Sequence, residues 1–167
     1  MSGRKNQRGS AMVEFVLTGI PMIFIWISVV QMSIGMWHYH TLQYAVKAAG
    51  AFIAHRGASY TTAGGASTKI EDAAAVLGTA AIGIPDTDIA VTWTAGASSV
   101  TCQLNACKTN TTVWPPTTAN TTGTDITIRA DWVFNSAISM VAPGPGNGVV
   151  KFGSFHLPGY TRQFILF

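Results

Sequence analysis

Charge is what this chain has least of. Only 10% of its 167 residues are Asp, Glu, Lys or Arg, against about 25% in a typical soluble domain, and none of the four occurs from Phe15 to Val46. Such a chain is expected among lipid and other subunits rather than free in water. The first part of the uncharged run, as far as Trp37, is long enough to cross a bilayer, for which about 20 apolar residues suffice.

Acid is missing from the first nine residues, which carry Arg4, Lys5 and Arg8. These three account for the net charge of +3, because seven basic residues remain against seven acidic ones after Gly9. The excess of positive charge therefore speaks to topology: the positive-inside rule keeps this leader cytoplasmic and puts the chain beyond Trp37 outside. A nucleic-acid partner would need a clustered basic face in the body of the protein, so none is expected. A secretory signal peptide is excluded too, since its apolar core of about 7–15 residues ends in an A-x-A-like site, and here the run is longer and helical beyond its end.

Catalytic patterns are also lacking. His38, His40, His55 and His156 stand in no H-E-x-x-H arrangement, serine occurs in no G-x-S-x-G elbow, and no glycine loop is built to cradle phosphate. Asp86 and Asp88 bracket Thr87 after Pro85, a turn-like pair far short of the six or more oxygens calcium takes. No cofactor and no metal are expected, and the chain does not read as an enzyme.

The most informative residues present are Arg8-Gly9-Ser10-Ala11-Met12-Val13-Glu14-Phe15. A lone carboxylate opens the apolar run, where a charge in hydrocarbon costs about 2.5 kcal/mol or more. Glu14 is either an interfacial residue favoured by the helix N-terminal dipole, or a group with a partner. Gly9, Ser10, Glu14 and Phe15 resemble a type IV prepilin processing site. There a membrane peptidase cuts after the glycine and the mature chain keeps a glutamate at its fifth position. The longer string through Pro21 is similar to the TadE-like minor pilins of the tight-adherence (Tad) pilus. Two departures are visible: Thr18-Gly19-Ile20 precedes Pro21 where the family is more aliphatic, and Ser10 follows the cut in place of an alanine or aromatic residue. Glu14 argues for the TadE rather than the TadG side.

Apolar residues continue as Leu42, Ala45, Val46, Ala49, Phe52 and Ile53, one face of a helix, which is expected to run to about His55 and end near Gly57. Pro21 lies inside it and should kink it, as membrane helices tolerate. The alanines from Ala45 to Ala54 suit close packing, either with neighbouring helices or with the chain's own globular part. Tyr60 to Ala66 reads as a linker. Thr68 and Glu71 form a capping-box pattern before a second helix over about 69–82, which Gly83 and Pro85 stop.

From Asp88 the period becomes two. Ile89, Val91 and Trp93 alternate with polar or small residues, as do Val100, Cys102 and Leu104, and Ile126 through Phe134. Val149–His156 and Tyr160–Phe167 read as two further strands separated by Leu157-Pro158-Gly159. The order of helices then strands predicts an α+β fold: a long N-terminal membrane-spanning helix, a short second helix, and a four- to five-stranded antiparallel sheet packed on the long one, as in pilins. The expected parts are a cleaved leader 1–9, a transmembrane part 10–37 and an extracytoplasmic domain 38–167.

Cys102 and Cys107 are the only cysteines. In an oxidising compartment a disulfide is favoured over buried thiols, and no second His or Cys pair is near to complete a zinc set. The segment 108–124, with eight threonines around Trp114-Pro115-Pro116, reads as a polar, mobile spacer or, less often, a partner contact. Residues 143–148 form a turn-rich connector.

The resemblance implies a minor pilin or pseudopilin supporting pilus assembly and adhesion, single-pass in the bacterial inner membrane. Its partners would be other pilin subunits, the Tad assembly machinery, a prepilin peptidase and the bilayer. Gly9, Ser10 and Glu14 would serve processing and assembly. A different class of reading is a bitopic membrane-anchored binding protein unrelated to pili, with Glu14 merely interfacial; a membrane-anchored enzyme ranks lowest.

Overall fold

The computed structural model describes residues 8–56, 60, 64–143 and 149–166. Its elements in chain order are helix α1 (Arg8–Ala54), helix α2 (Ile70–Ala80), strands β1 (Ile89–Ala95) and β2 (Ser98–Gln103), the short helix α3 (Leu104–Cys107), and strands β3 (Asp125–Pro143) and β4 (Val149–Phe164). The fold is α+β. Two compact units divide between Met36 and Trp37.

In the first unit the side chains from Met12 to Met36 are nearly all exposed. Three of its hydroxyls are satisfied within the helix: Thr18 Oγ1 donates to the Glu14 carbonyl at 2.8 Å, Ser28 to Phe24 at 2.7 Å and Ser33 to Val29 at 2.9 Å. This back-bonding lets polar residues sit in an apolar helix without an orphaned donor.

In the second unit, four antiparallel strands are ordered β2-β1-β3-β4. Alternation sends Ile89, Val91 and Trp93 of β1 and Ile126, Ile128, Ala130 and Trp132 of β3 to one face, where they join Leu42, Ala45, Val46, Ala49 and Ile53 of α1 and Ile70, Ala74 and Leu77 of α2 in one core. The opposite face is polar: Thr92 and Thr101 share a hydroxyl hydrogen bond of 3.1 Å, and Arg129 pairs with Asp131 at 2.8 Å.

One expectation about the sheet changes. Leu157-Pro158-Gly159 does not break the chain into two strands; it lies within β4, with Pro158 opposite Asp131 and Gly159 opposite Ala130. The Pro158 carbonyl accepts from Gln43 Nε2 at 3.0 Å, and the Tyr160 N–H donates to Gln43 Oε1 at 3.4 Å. Residues 158 and 160 thus aim their backbone groups at the free edge, so the proline's missing N–H removes no bond to β3. The Gln43 amide stands in for a neighbouring strand there, which guards an otherwise open edge.

Gly159 is required by closeness. A Cβ there would lie 3.0 Å from Val46 Cγ2 and 3.1 Å from the Leu42 Cγ. Gly159→Val is expected to lower stability by about 1–3 kcal/mol through overpacking, with Gly159→Ala milder; a chemical-denaturation midpoint unchanged in the valine variant would mean that α1 yields freely at this point.

Around α2 the capping differs from the expected pairing of Thr68 with Glu71. The helix starts at Ile70, and Asp72 Oδ2 accepts the Lys69 N–H at 3.1 Å, while Glu71 pairs with Lys69 Nζ at 3.1 Å. The first-turn N–H groups of Ile70 and Glu71 donate to the carbonyls of Thr112 and Asn110, each at 3.0 Å. The threonine-rich segment is therefore not a free spacer. Lys69 bridges Val113, the Trp114 N–H donates to the Thr68 carbonyl at 2.8 Å, and the Trp114 side chain is buried. Helix α1 stops at Ala54; Gly57 and the connector 144–148 lie outside the described residues.

Candidate functional site

The residues singled out at the N-terminus fall at the opening of α1. Arg8, Gly9 and Ser10 belong to its first turn, Arg4 and Lys5 lie outside the described residues, and Pro21 is inside the helix. Glu14 is exposed. Glu14 and Pro21, seven positions apart, share a helix face. Pro21 has no N–H to give the Leu17 carbonyl, so the helix is locally one bond short in the stretch just past the carboxylate.

What surrounds Glu14 is apolar: Met12, Val13, Phe15, Val16 and Leu17 are all exposed. An exposed apolar surface this large marks a lipid or protein contact. Met12–Ala54 is the one helix among the described residues long and apolar enough to cross a membrane, with a stretch of mean hydropathy 2.1. A carboxylate at the mouth of such a helix is favoured by the helix N-terminal dipole and is able to pair with a cation, which offsets the cost of keeping either charge away from water.

Trp37, His38 and Tyr39, just past the apolar run, divide their roles. Trp37 is about half exposed, whereas His38 turns toward the sheet. Its ring lies 4.9 Å from Trp132, edge-on, and 6.2 Å from Phe134. Burial there pushes the His38 pKa below its ordinary value, which favours the neutral imidazole. The Tyr39 hydroxyl accepts from Gln43 Nε2 at 3.2 Å.

The other candidates are not gathered into a site. His40 is on α1, His55 just past its end and His156 on β4 opposite Val133. Among the described residues no group of three His, Cys, Asp or Glu side chains could hold a metal. Asp86 is ion-paired with Lys108, and the Thr87 hydroxyl donates to Asp88 at 3.0 Å. A disulfide joins Cys102 of β2 to Cys107 of α3, with Cα atoms 5.6 Å apart.

Sequence reasoning passed over Gln43 and Gly50 and read Gly159 only as part of a strand break; the three set how α1 lies on β4. A Cβ on Gly50 would come within 2.9 Å of Thr161 Cγ2. The one available signal was a lone glycine and a lone glutamine within an alanine-rich helical stripe.

Residues 9–50 match the family described as TadE-like protein. The matched stretch holds Gly9, Glu14 and Pro21 and ends four residues before α1 does. No curated protein and no solved structure matches the chain.

Proposed function

We propose that the chain, a Tad pilus-associated protein by its TadE-like residues 9–50, is a minor pilin or pseudopilin of that system. In this reading α1 holds the precursor in the inner membrane, leader inside and sheet domain outside. A prepilin peptidase cuts after Gly9, and the chain then joins or primes the fibre. It is the peptidase's substrate and carries no catalytic role of its own.

One observation carries the reading: a glycine and a glutamate five positions apart open a helix whose large apolar side chains are exposed from Met12 to Met36. Cleavage frees a positive amino group on Ser10, close to the low-dielectric core. Glu14 of a neighbouring subunit neutralises it, so that neither charge is buried alone. The apolar side chains of α1 supply packing surface, and the sheet domain supplies lateral contacts and the adhesive surface.

The mature chain is accordingly expected to begin at Ser10. Intact-mass analysis of protein from membranes of the producing bacterium checks this, and Gly9→Leu should leave the precursor uncut because a bulky side chain obstructs approach to the backbone. A chain that still begins at Met1 in cells with an active peptidase overturns the pilin reading.

A further inference from the structure

The eight threonines between Lys108 and Asp125 stand in a stretch without Asp, Glu, Lys or Arg, and the fold divides them. Thr109 Oγ1 donates to the Ala106 carbonyl at 3.0 Å, and Thr121 and Thr124 share a hydroxyl hydrogen bond of 2.7 Å. Thr111 and Thr112 belong to the run that the Thr112 carbonyl ties to α2. Thr117, Thr118 and Thr122 are exposed, and their hydroxyls bond to nothing among the described residues.

Two tight turns present these three. The Ala119 N–H donates to the Pro116 carbonyl at 2.8 Å, which puts Thr117 and Thr118 at the two central positions of one turn. The Thr124 N–H donates to the Thr121 carbonyl at 3.0 Å, which puts Thr122 at the centre of the other, beside Gly123 with its φ of 87°. Buried Trp114 and Ala119 hold the first turn, and bonds of 2.9 and 3.0 Å between Gly123, Thr124 and Ile165 hold the second. Exposed turn tips of small polar residues are where enzymes reach a folded chain. Here the tips are fixed in place and their hydroxyls are uncommitted.

We propose that Thr117, Thr118 and Thr122 are sites of O-linked glycosylation, taking sugar from a donor activated as a phosphate ester at its anomeric carbon. Threonine Oγ1 forms the new bond to that carbon, and the bond from the carbon to the phosphate oxygen breaks. The phosphate leaves with the electron pair and the hydroxyl proton passes to a base of the transferase, so nothing is oxidised or reduced. Uncharged, threonine-rich sequence around Pro115 and Pro116 is the composition that carries such sugars in exported chains. The two N-x-T sequences, at Asn110 and Asn120, are poorer acceptors. Asn110 Oδ1 is held by the Thr112 N–H at 3.0 Å, and Asn120 Oδ1 is buried.

The inference rests on the pilin reading only in placing the sheet domain outside. The turns lie at the end of that domain where α1 finishes, since Ile165 meets Thr124 and the Leu166 N–H donates to the Ala54 carbonyl at 3.2 Å. From His38 to Ala54 the helix rises roughly 24 Å, so sugars there would stand well away from the residues that leave the apolar run.

The test is mass spectrometry of the full chain purified from membranes and from sheared pili of the producing bacterium. Trypsin cuts after Lys108 and Arg129, so a single peptide, 109–129, carries every threonine of the segment. It is expected to be heavier than its sequence by one or more sugar residues, placed by electron-transfer fragmentation on Thr117, Thr118 or Thr122. The combined variant Thr117→Ala, Thr118→Ala and Thr122→Ala removes no hydrogen bond within the chain; it should stay folded and membrane-bound, with the added mass lost. A peptide at its bare sequence mass overturns the proposal, as do sugars confined to Asn110, Asn120 or the other threonines, or added mass that persists in the triple variant. A bare chain incorporated into pili leaves the pilin reading standing without this inference, whereas a glycosylated chain absent from pili does the reverse.

Discussion

Glu14→Ala is expected to remain in the membrane, to be cut after Gly9, and to be lost from pili. Removing the carboxylate takes away a charge, so insertion of α1 should be unimpaired or slightly favoured. The sheet domain should fold as before, because the α1 residues that pack on its core, from His38 and Tyr39 onward, lie more than twenty positions beyond Glu14. The loss falls on the partner's amino group, left without its counter-charge away from water. Breaking a buried pair in this way costs about 3–5 kcal/mol, which corresponds to a hundredfold or greater fall in incorporation at about 1.4 kcal/mol per factor of ten. Three measurements decide it: membrane retention, the mass of the mature chain, and the amount in sheared pili of a deletion strain complemented with the variant. Full complementation by Glu14→Ala would make this residue an interfacial one and remove charge pairing from the mechanism, even with the pilus association intact.

Trp93→Ala should cost more than any other single truncation in the sheet domain. Trp93 is 0% exposed and is the largest fully buried side chain. It stands at the middle of β1, with Val100 of β2 and Ile128 of β3 as its register partners. Truncating a buried tryptophan costs about 3–5 kcal/mol, a large share of the roughly 5–15 kcal/mol that holds a typical domain folded. The indole Nε1 of Trp93 has no hydrogen-bond partner among the described residues. Trp93→Phe therefore removes a buried, unsatisfied donor along with some volume, and it should be clearly milder than the alanine change. Chemical denaturation of the detergent-solubilised full chain, followed by near-ultraviolet circular dichroism, checks both. Equal destabilisation by phenylalanine and alanine would show that the indole nitrogen is satisfied after all.

Several readings failed for a shared physical reason. The Thr68–Glu71 pattern is a valid capping signal, but which acid meets which N–H depends on where the first helical turn begins. That point is fixed by Asn110 and Thr112, forty residues away in the chain, whose carbonyls take the Ile70 and Glu71 N–H groups. The threonine-rich segment looked solvated because its composition has little to bury. Trp114, sunk beside the start of α2, pins it together with the backbone bonds of Asn110 and Thr112. Local composition reports how much apolar surface a loop has, not whether a pocket is waiting for it.

By itself the sequence determined the long uncharged helix, the glycine-to-glutamate spacing at its mouth, the change to a period of two after Asp88 and the pairing-competent cysteines. These are one-dimensional properties: length against bilayer thickness, residues contiguous in the chain, and alternation that any half-buried strand must show. Only the tertiary structure decided the order β2-β1-β3-β4, the continuity of β4 through Pro158, the Gln43 amide on its edge and the turns that present Thr117, Thr118 and Thr122. Each depends on which backbone groups and surfaces face one another once the chain is folded, across 115 residues for Gln43 and Pro158. A proline's missing N–H is harmful or harmless according to the side of the strand it faces, and that side exists only once the neighbouring strand and helix are in place.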